Sequence, residues 1–384
     1  MIYEKRNIGD LVTLRQGFAI NKNTKHHIAD EPTGLHLLRI GDMKDGHYSV
    51  FVKETIPEKF IANEDDIIYT RTGQVGLVFR RQHGVVHNNC FTVSTNDDEI
   101  LSQDFLYYVL QEKAFYEEAN SRATGAAQPD LTHGAFKSIE ITLPPIETQR
   151  KIVIIVDAYN DLIENNQKQI KLIEEAAKRL YKEWFVDLKF PGYKNCKIVD
   201  GVPDKWKRKK LIDIVDVQYG YAFDGSKFNS VGNGTPIIRI RNIPDGNTVD
   251  FTTEEVEEKY VISNGEILVG MDGEFHINSW SGKDAFLVQR TCCLRPRKRE
   301  MNGWLLWAIY EPIKFYEKTV VGATVSHLGK KHIDSIELLT GTDELYIPFQ
   351  NYFDLRQKLL NQNIVLSEAR DRLLPKLISG EIEV

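Results

Sequence analysis

Leu38-Arg39-Ile40-Gly41-Asp42 recurs two hundred residues later as Ile238-Arg239-Ile240-Arg241-Asn242. Two further segments recur at the same spacing, Asp45-Gly46 as Asp245-Gly246 and Asp66-Ile67-Ile68 as Glu266-Ile267-Leu268. A period of this length indicates a duplicated domain, because the units of solenoid repeats span only roughly 20 to 50 residues. The sequence therefore predicts two copies of one domain.

Each copy has the pattern of a mostly β domain. In residues 1–145, short apolar or alternating segments are separated by Gly, Asn and Asp, and these segments are 35–40, 67–70, 75–79 and 90–94. Such segments are typical of strands joined by turns. One helix is predicted near residues 102–118, and Leu143-Pro144-Pro145 ends the domain.

Two long helices are predicted outside the repeated domains. Residues 147–185 contain no Gly or Pro, and their apolar residues recur at helical steps. A helix of about 39 residues would be roughly 58 Å long, so its apolar stripe needs a long partner. Residues 347–375 carry a second such stripe, and we expect the two helices to pair antiparallel.

Four asparagines, Asn165, Asn166, Asn361 and Asn363, interrupt the two stripes. An Asn inside a coiled-coil seam fixes register at some cost in stability, whereas an Asn on the outer face is simply solvated. The pattern favours neither alternative.

The order of elements predicts an α+β chain with four parts. Residues 1–145 form the first domain, 146–188 the first long helix, 189–345 a basic linker with the second domain, and 346–384 the second long helix and C-terminal tail. The predicted antiparallel coiled coil would separate and join two duplicated domains, related by a pseudo-twofold axis.

Composition favours a cytoplasmic protein. The chain has no apolar run of membrane-spanning length, and its start does not resemble a secretion signal. Cys90, Cys196, Cys292 and Cys293 lack zinc-ligand spacing, so we predict thiols packed in the cores.

Charge argues against DNA binding by electrostatics alone. The net charge is −6, and residues 1–145 contain 15 Lys and Arg against 20 Asp and Glu. Neutralising phosphates requires Lys and Arg, so the first copy needs a local binding face. Residues 205–210 and 295–299 are basic clusters of a kind that follows a phosphate backbone, although a solvated linker or loop is the more ordinary explanation.

Motifs for catalysis are missing from the sequence. There is no HExxH motif and no Cys and His set with zinc spacing. Residues 322–331 fail as a phosphate loop because the gap before Gly329-Lys330 is too long and no Ser or Thr follows. The sequence also lacks an amino-methyltransferase tetrapeptide and a glycine-rich cofactor loop. We therefore predict neither a catalytic residue nor a metal ligand.

Polar side chains instead cluster at matching places in the two copies. Arg reads guanine through two hydrogen bonds, and Asn or Gln reads adenine in the same way. The candidate DNA-binding residues are Gln16, Lys22, Arg39, Thr70, Arg71, Gln74, Asn88, Asn89 and Gln128 in the first copy, and Tyr219, Arg239, Arg241, Asn242, Asp272, Gln289, Arg290 and His327 in the second. For Arg39 and Arg239, which lie at equivalent positions within apolar segments, the pattern favours a shared structural role. The framework residues repeat while the loop residues differ. This is the pattern expected of two domains that read different DNA sequences.

Several further motifs carry a family resemblance. They are residues 17–20 and 220–223 after the first strand of each copy, residues 322–328, the junction 143–149 and the terminal segment 376–382. In this order, over nearly the whole chain, they resemble the HsdS specificity subunits of type I restriction-modification enzymes, a bacterial and archaeal defence system. The second junction, residues 345–350, lacks the double proline of the first.

The resemblance implies a non-catalytic subunit with two target recognition domains. Each domain would read one half of a split double-stranded DNA target in the major groove, and the helices would set the gap. Methylation and cleavage would belong to separate modification and restriction subunits, with S-adenosylmethionine on the modification subunit and no cofactor on this chain.

We also expect the helices to dock two modification subunits, which would carry the restriction subunits. The residues chosen for docking or for the spacer are Ile155, Leu162, Ile170, Phe353 and Leu360. The alternative is a coiled-coil scaffold or decoy that binds modification subunits without reading DNA. A stand-alone enzyme is less favoured.

Overall fold

A computed structural model describes residues 3–319 and 326–384. Residues 322–325 of the repeated motif lie outside this described part. The chain forms two compact units, one of residues 1–161 and 368–384 and the other of residues 162–367. Each unit contains one copy of the repeat together with parts of both long helices.

The first unit contains three sheets. Its strands are β1 (Glu4–Asn7), β2 (Val12–Gln16), β3 (Ile28–Ala29), β4 (Leu35–Leu38), β5 (Phe51–Val52), β6 (Ile61–Ala62), β7 (Ile67–Thr70), β8 (Val78–Phe79), β9 (Gly84–Val86), β10 (Cys90–Thr95) and β11 (Glu140–Leu143). The sheet orders are β2-β10-β7-β8, β3-β5-β4-β9-β6 and β1-β11. All pairs are antiparallel except β4 with β9, which run parallel.

Helices cover the four-stranded sheet of the first unit. They are α1 (Ile40–Asp45), α2 (Gln103–Gln111), α3 (Lys113–Arg122), α4 (His133–Lys137) and the start of α5 (Ile146–Tyr181). Tyr69, Phe91 and Phe136 pack together at the centre of the core. Burying large aromatic side chains supplies much of the hydrophobic driving force of such a domain.

The second unit repeats this topology. Its strands are β12 (Ile198–Val199), β13 (Val202–Pro203), β14 (Lys207–Lys210), β15 (Val215–Tyr219), β16 (Phe228–Asn229), β17 (Thr235–Ile238), β18 (Phe251–Thr252), β19 (Val261–Ile262), β20 (Ile267–Gly270), β21 (Ile277–Ser279), β22 (Ala285–Leu287), β23 (Thr291–Pro296) and β24 (Glu337–Thr340). Its helices are α6 (Leu211–Ile214), α7 (Asn302–Ala308), α8 (Tyr310–Thr319), α9 (Lys330–Ser335), the end of α5 and the start of α10 (Ile347–Ser379).

The sheet orders of the two units correspond strand by strand. In the second unit they are β15-β23-β20-β21, β16-β18-β17-β22-β19 and β14-β24, with β12-β13 as an added hairpin. The parallel pair also recurs, with Leu37 opposite Val85 in β4–β9 and Ile237 opposite Phe286 in β17–β22. The predicted duplication is therefore confirmed at the level of topology.

A glycine after the first long strand of each copy lets two backbones meet. A Cβ on Gly17 would lie 2.2 Å from the carbonyl oxygen of His87, and one on Gly220 would lie 2.0 Å from that of Val288. Immediately afterwards the N–H of Phe18 donates to Val86, and that of Tyr221 donates to Leu287. Only glycine fits this approach, which explains why both motifs begin with it.

Several predicted element boundaries are wrong. The strand predicted over 35–40 ends at Leu38, because the chain turns into α1. The segment 75–79 is a strand only at Val78–Phe79, since Gly76 has a φ of 97°. The single helix near 102–118 is two helices, because Glu112 adopts an extended conformation between them. Lys207–Lys210, within the basic cluster 205–210, is a strand and not a linker or loop, and it pairs with β24.

Both predicted long helices are present, but their ends differ from the prediction. A π-helical turn at Lys182–Val186 follows α5. Helix α10 continues past Pro375 to Ser379, where Leu377 and Ile378 are buried in the core of the first unit. That burial offsets the loss of one backbone hydrogen bond at the proline.

Polar contacts join the two long helices inside each unit. In the second unit, Asn166 donates to Asn363 at 2.9 Å and Arg356 donates to Glu174 at 2.6 Å. In the first unit, Arg370 donates to Asn160 at 2.7 Å. Asn166 is buried, Asn165 is exposed, and Asn361 bonds to Asn264 of the second domain, so the four asparagines have different roles.

The cysteines follow the prediction with one exception. Cys90, Cys292 and Cys293 are buried free thiols, whereas Cys196 is only partly buried, in the segment that leads into the second domain. Within residues 3–319 and 326–384, no helix combines the length and apolar character needed to cross a membrane.

We expect Gly17→Ala to lower the free energy of unfolding of the first unit by about 1–3 kcal/mol, because the added methyl group collides with the His87 carbonyl. Hydrogen exchange of the β2 and β9 amides in the full chain measures the loss. Gly134→Ala is the matched control, since a Cβ there meets nothing within 4 Å. Equal protection in both variants would contradict the proposed role of Gly17.

Candidate nucleic-acid interface

The loop after β7 is fixed from within the fold. The Thr70 side chain is 0% exposed, and its hydroxyl donates to the carbonyl of Gln74. Gly73, with a φ of 85°, donates its N–H to the carbonyl of Pro129. The loop after β20 is held in the same way, because Gly273 has a φ of 68° and donates to Ser326. Hydrogen bonds therefore fix the backbone of both loops, from which the loop side chains project.

Strand register identifies the equivalent residues of the two sites. Cys90 lies opposite Thr70, and Thr291 lies opposite Gly270. The residues just before these strands therefore correspond, Asn89 to Arg290 and Asn88 to Gln289. Isolated β-bridges join Thr72 to Asp130 in the first unit and Asp272 to His327 in the second, so these pairs also correspond.

The first unit has a cleft of about 350 Å³ beside these loops. It brings together three of the predicted residues, Gln74, Asn89 and Gln128, with Thr72 and Lys44. Three of its polar side chains are therefore amides, while Lys44 and Asp45 add one positive and one negative group. Lys44 was missed by the sequence analysis, because α1 was taken as the end of a strand. The Asp45-Gly46 pair after Lys44 is the signal that the segment turns.

An ion-pair network lies under the first cleft. Arg71 donates to Asp130 at 2.6 Å and to Gln16 at 3.0 Å, while Gln16 donates to the carbonyl of Asn88 at 2.7 Å. Burial would raise the pKa of Asp130, but the hydrogen bonds from Thr72 and Arg71 outweigh it and lower that pKa. Two guanidinium nitrogens of Arg71 and the amide nitrogen of Gln16 thus bond within the protein and position the cleft residues, while Arg71 Nε is buried without a hydrogen-bond partner among the described residues.

The second unit has a cleft of about 480 Å³. Four predicted residues, Arg239, Arg241, Gln289 and Arg290, line it together with Phe223 and Phe228. Three arginines thus face one space, in contrast to the amides of the first cleft. The two phenylalanines were not chosen as site residues, because apolar residues after a strand usually belong to the core.

Each arginine of the second cleft is held differently. Arg241 donates twice to Asp250, at 2.5 and 3.1 Å, and the Asp250 carboxylate is buried. The guanidinium of Arg239 lies 5.6 Å from the ring centre of Phe228. Arg290 makes longer contacts, 3.4 Å to Asp272 and 3.3 Å to His327, and His327 in turn bonds to Asp272.

Burial corrects part of the predicted DNA-binding set. Thr70 is buried, and so is Asn242, whose side-chain oxygen accepts the N–H of Arg239 at 2.9 Å. The Tyr219 hydroxyl is buried without a hydrogen-bond partner among the described residues, and burial raises its pKa. These three side chains cannot contact DNA directly from these positions.

Arg39 and Lys22 lie outside both clefts. Arg39 donates to both carboxylate oxygens of Asp42, at 2.6 and 2.8 Å, and to Ser49. Lys22 is exposed in the loop that follows Gly17. No Asp42-like ion pair recurs for Arg239, because Asn242 takes the place of Asp42.

A family model, the type I restriction modification DNA specificity domain, matches residues 2–175 and 203–340. The chain belongs to this family. The MjaIX specificity subunit of Methanocaldococcus jannaschii is 26% identical over 338 residues, which cover 83% of this chain and 78% of the relative. The MjaVIII specificity subunit of the same organism is 28% identical over 363 residues, covering 90% and 79%.

The fold is likewise that of a solved family member. The crystal structure of a type I restriction-modification S subunit from M. genitalium matches with a TM-score of 0.56 and 18% identity, over 98% of this chain and 96% of the other. At that identity the similarity establishes the fold only.

His87, two residues before Asn89 of the first cleft, is expected to make the first unit sensitive to pH. Burial lowers the pKa of His87, and the nearby positive charge of Arg39 adds to the effect. The ring Nδ1 accepts the N–H of Asn89 at 3.3 Å, so folding favours the neutral ring. As pH falls through 6.5, the unfolded chain takes up the proton first and stability declines.

We therefore predict that the unfolding midpoint drops more between pH 7.5 and 5.5 in the wild-type chain than in His87→Val, which copies Val288 of the second unit. A nuclear magnetic resonance titration of the His87 ring provides the pKa directly. A pKa at or above the ordinary value, or equal pH slopes for the two chains, would refute this prediction.

Proposed function

We propose that this chain reads the DNA target of a type I restriction-modification enzyme, with each domain contacting one half of a split sequence in double-stranded DNA. The observation that carries the proposal is the pair of clefts, whose linings share a few equivalent positions of the repeated fold, such as Ile40 with Ile240 and Asn89 with Arg290, but offer different hydrogen-bonding groups. A reader of two different half-sites needs a common framework and different contact residues.

The lining residues are suited to reading base edges. Gln74, Asn89 and Gln128 offer amides in the first cleft, and Arg239, Arg241, Gln289 and Arg290 offer donors in the second. We assign direct contacts to these residues and a phosphate contact to Lys22. Gln16, Arg71, Asp272 and His327 orient their neighbours. Asn88, whose backbone carbonyl accepts from Gln16, remains a candidate for base contact.

Chemistry is assigned to partner subunits. We propose that S-adenosylmethionine binds to a modification subunit and that cleavage belongs to a restriction subunit, so that this chain is a non-catalytic, cytoplasmic component. The sequence motifs that would argue for catalysis here are missing. The chain contributes sequence readout, and the enzymes it recruits contribute the reaction.

We further propose that α5 and α10 form an antiparallel coiled coil that sets the gap between the half-sites. Asn166 bonds to Asn363 and Glu174 to Arg356, so residue numbers rise along α5 as they fall along α10. Ile170 and Phe353 are buried, and Ile155 and Leu360 are partly buried, which favours a packing role for these four residues.

Leu162 differs from these four, because it is 52% exposed. It lines a groove of about 710 Å³ with Asn166, Asn361, Val365 and Leu366. Large apolar side chains exposed on a long helix favour a protein partner. We propose that this groove is one of two docking sites for modification subunits.

The proposal is tested by mapping methylated bases in cells that express the chain with the modification subunit from its own source. We expect a split motif with two short halves around a fixed unread gap. Exchanging residues 1–145 for those of another family member should change one half only. A motif that changes in both halves would contradict modular reading, and no chain-dependent methylation would favour the scaffold alternative.

Docking is tested by Leu162→Asp combined with Val365→Asp, in the full chain. We expect the affinity for the modification subunit to fall by about tenfold or more, because burying each side chain contributes roughly 1.5–3 kcal/mol. Gln167→Asp, on an exposed position of the same helix, is the control. Unchanged affinity by calorimetry, with normal helicity, would rule out this groove.

A further inference from the structure

We infer that Arg290 reads a guanine in the half-site bound by the second domain, and that Asn89 reads an adenine at the corresponding position of the other half-site. This inference rests on the proposed function. It assigns a base to each domain through one structural position that the duplication places twice.

The two residues occupy the same place in the fold. The carbonyl of Asn89 accepts the N–H of Arg71 at 2.8 Å, and the carbonyl of Arg290 accepts the N–H of Met271 at 2.9 Å. Asn89 immediately precedes β10, which pairs with β7, and Arg290 immediately precedes β23, which pairs with β20. Each also lines the cleft of its own unit. The side chains therefore start from equivalent positions in the fold, with different backbone conformations and different hydrogen-bonding groups.

The backbone of Arg290 is strained in a way that favours a functional role. Its φ is 70°, in the left-handed region, whereas Asn89 has a negative φ. A non-glycine residue in such a conformation is disfavoured, and such residues cluster at binding sites. The strain is maintained because Met271 holds the Arg290 carbonyl.

The guanidinium of Arg290 is oriented but not saturated. Asp272 and His327 approach it at 3.4 and 3.3 Å, and the side chain is 55% exposed. By comparison, Arg241 makes a 2.5 Å contact with Asp250 and donates to both of its oxygens. Arg290 can therefore present two N–H groups outward from a supported position.

The two side chains select different purines. Arginine donates two hydrogen bonds to O6 and N7 of guanine, whereas asparagine donates to N7 and accepts from N6 of adenine. A well-placed pair of this kind discriminates against the wrong base by about 1–3 kcal/mol. Since 1.4 kcal/mol corresponds to a factor of ten, a tenfold preference is expected at each position.

The test is a reciprocal exchange in the full chain, expressed with its modification subunit, with the methylated motif mapped by single-molecule sequencing. Arg290→Asn suits the position because asparagine tolerates the left-handed conformation. We expect this variant to reduce the preference for guanine at one position of the second half-site by about tenfold or more, in favour of adenine. The first half should not change.

Asn89→Arg should produce the opposite change, from adenine towards guanine, in the first half only. Lys259→Asn removes an exposed positive charge from the second unit outside the cleft and should leave the motif intact. Copurification with the modification subunit checks that each variant folds and assembles.

The possible failures are distinguishable. If the wild-type chain directs no split motif, the proposed function is wrong and the base assignment falls with it. If the split motif appears but its second half contains no guanine, only the base assignment is wrong. The assignment also fails if Arg290→Asn weakens methylation evenly at all sites without altering the motif, because that pattern indicates a phosphate contact.

Discussion

The close approach of Gly17 to the His87 backbone, and of Gly220 to Val288, is the constraint on which both copies depend. It allows the chain to leave the four-stranded sheet and bond at once to β9, or to β22 in the second copy, which belongs to the parallel pair of the five-stranded sheet. The next strand after β9 or β22, which is β10 or β23, then starts at a fixed point. Asn89 and Arg290 precede that strand, so their positions derive from a backbone contact and not from their own side chains.

Because backbone bonds hold the site, the side chains around it are free to differ. The first copy has Thr72 bridging to Asp130, with Arg71 as the cation. In the second copy the acid, Asp272, stands at the position of Thr72, His327 stands at that of Asp130, and Arg290 is the cation. Both networks pair positive with negative groups, but they point different donors at the cleft. A framework of this kind permits a change of specificity without a change of fold.

The sequence predicted the duplication, the mostly β domains and the long helices, because a repeat and a hydrophobic period can be recognised directly from the order of residue types. It did not predict which polar residues are buried. Thr70 and Asn242 look like surface residues by type, but each satisfies a backbone group inside a turn. Lys44 and the buried Asp250 were not predicted as parts of the two sites. Lys44 lies in a short helix whose sequence resembles the end of a strand, and the role of Asp250 depends on its ion pair with Arg241.

The net charge of −6 constrains how such a reader contributes to binding. Non-specific affinity for DNA comes mainly from neutralised phosphates and the counterions they release, and an acidic chain supplies little of it. Much of the positive charge at the clefts is tied to partners, as Arg71 is to Asp130 and Arg241 to Asp250. Paired arginines orient well but attract phosphate weakly. Under the proposed function, this chain therefore supplies discrimination between bases, while most of the phosphate contact falls to the subunits that it recruits.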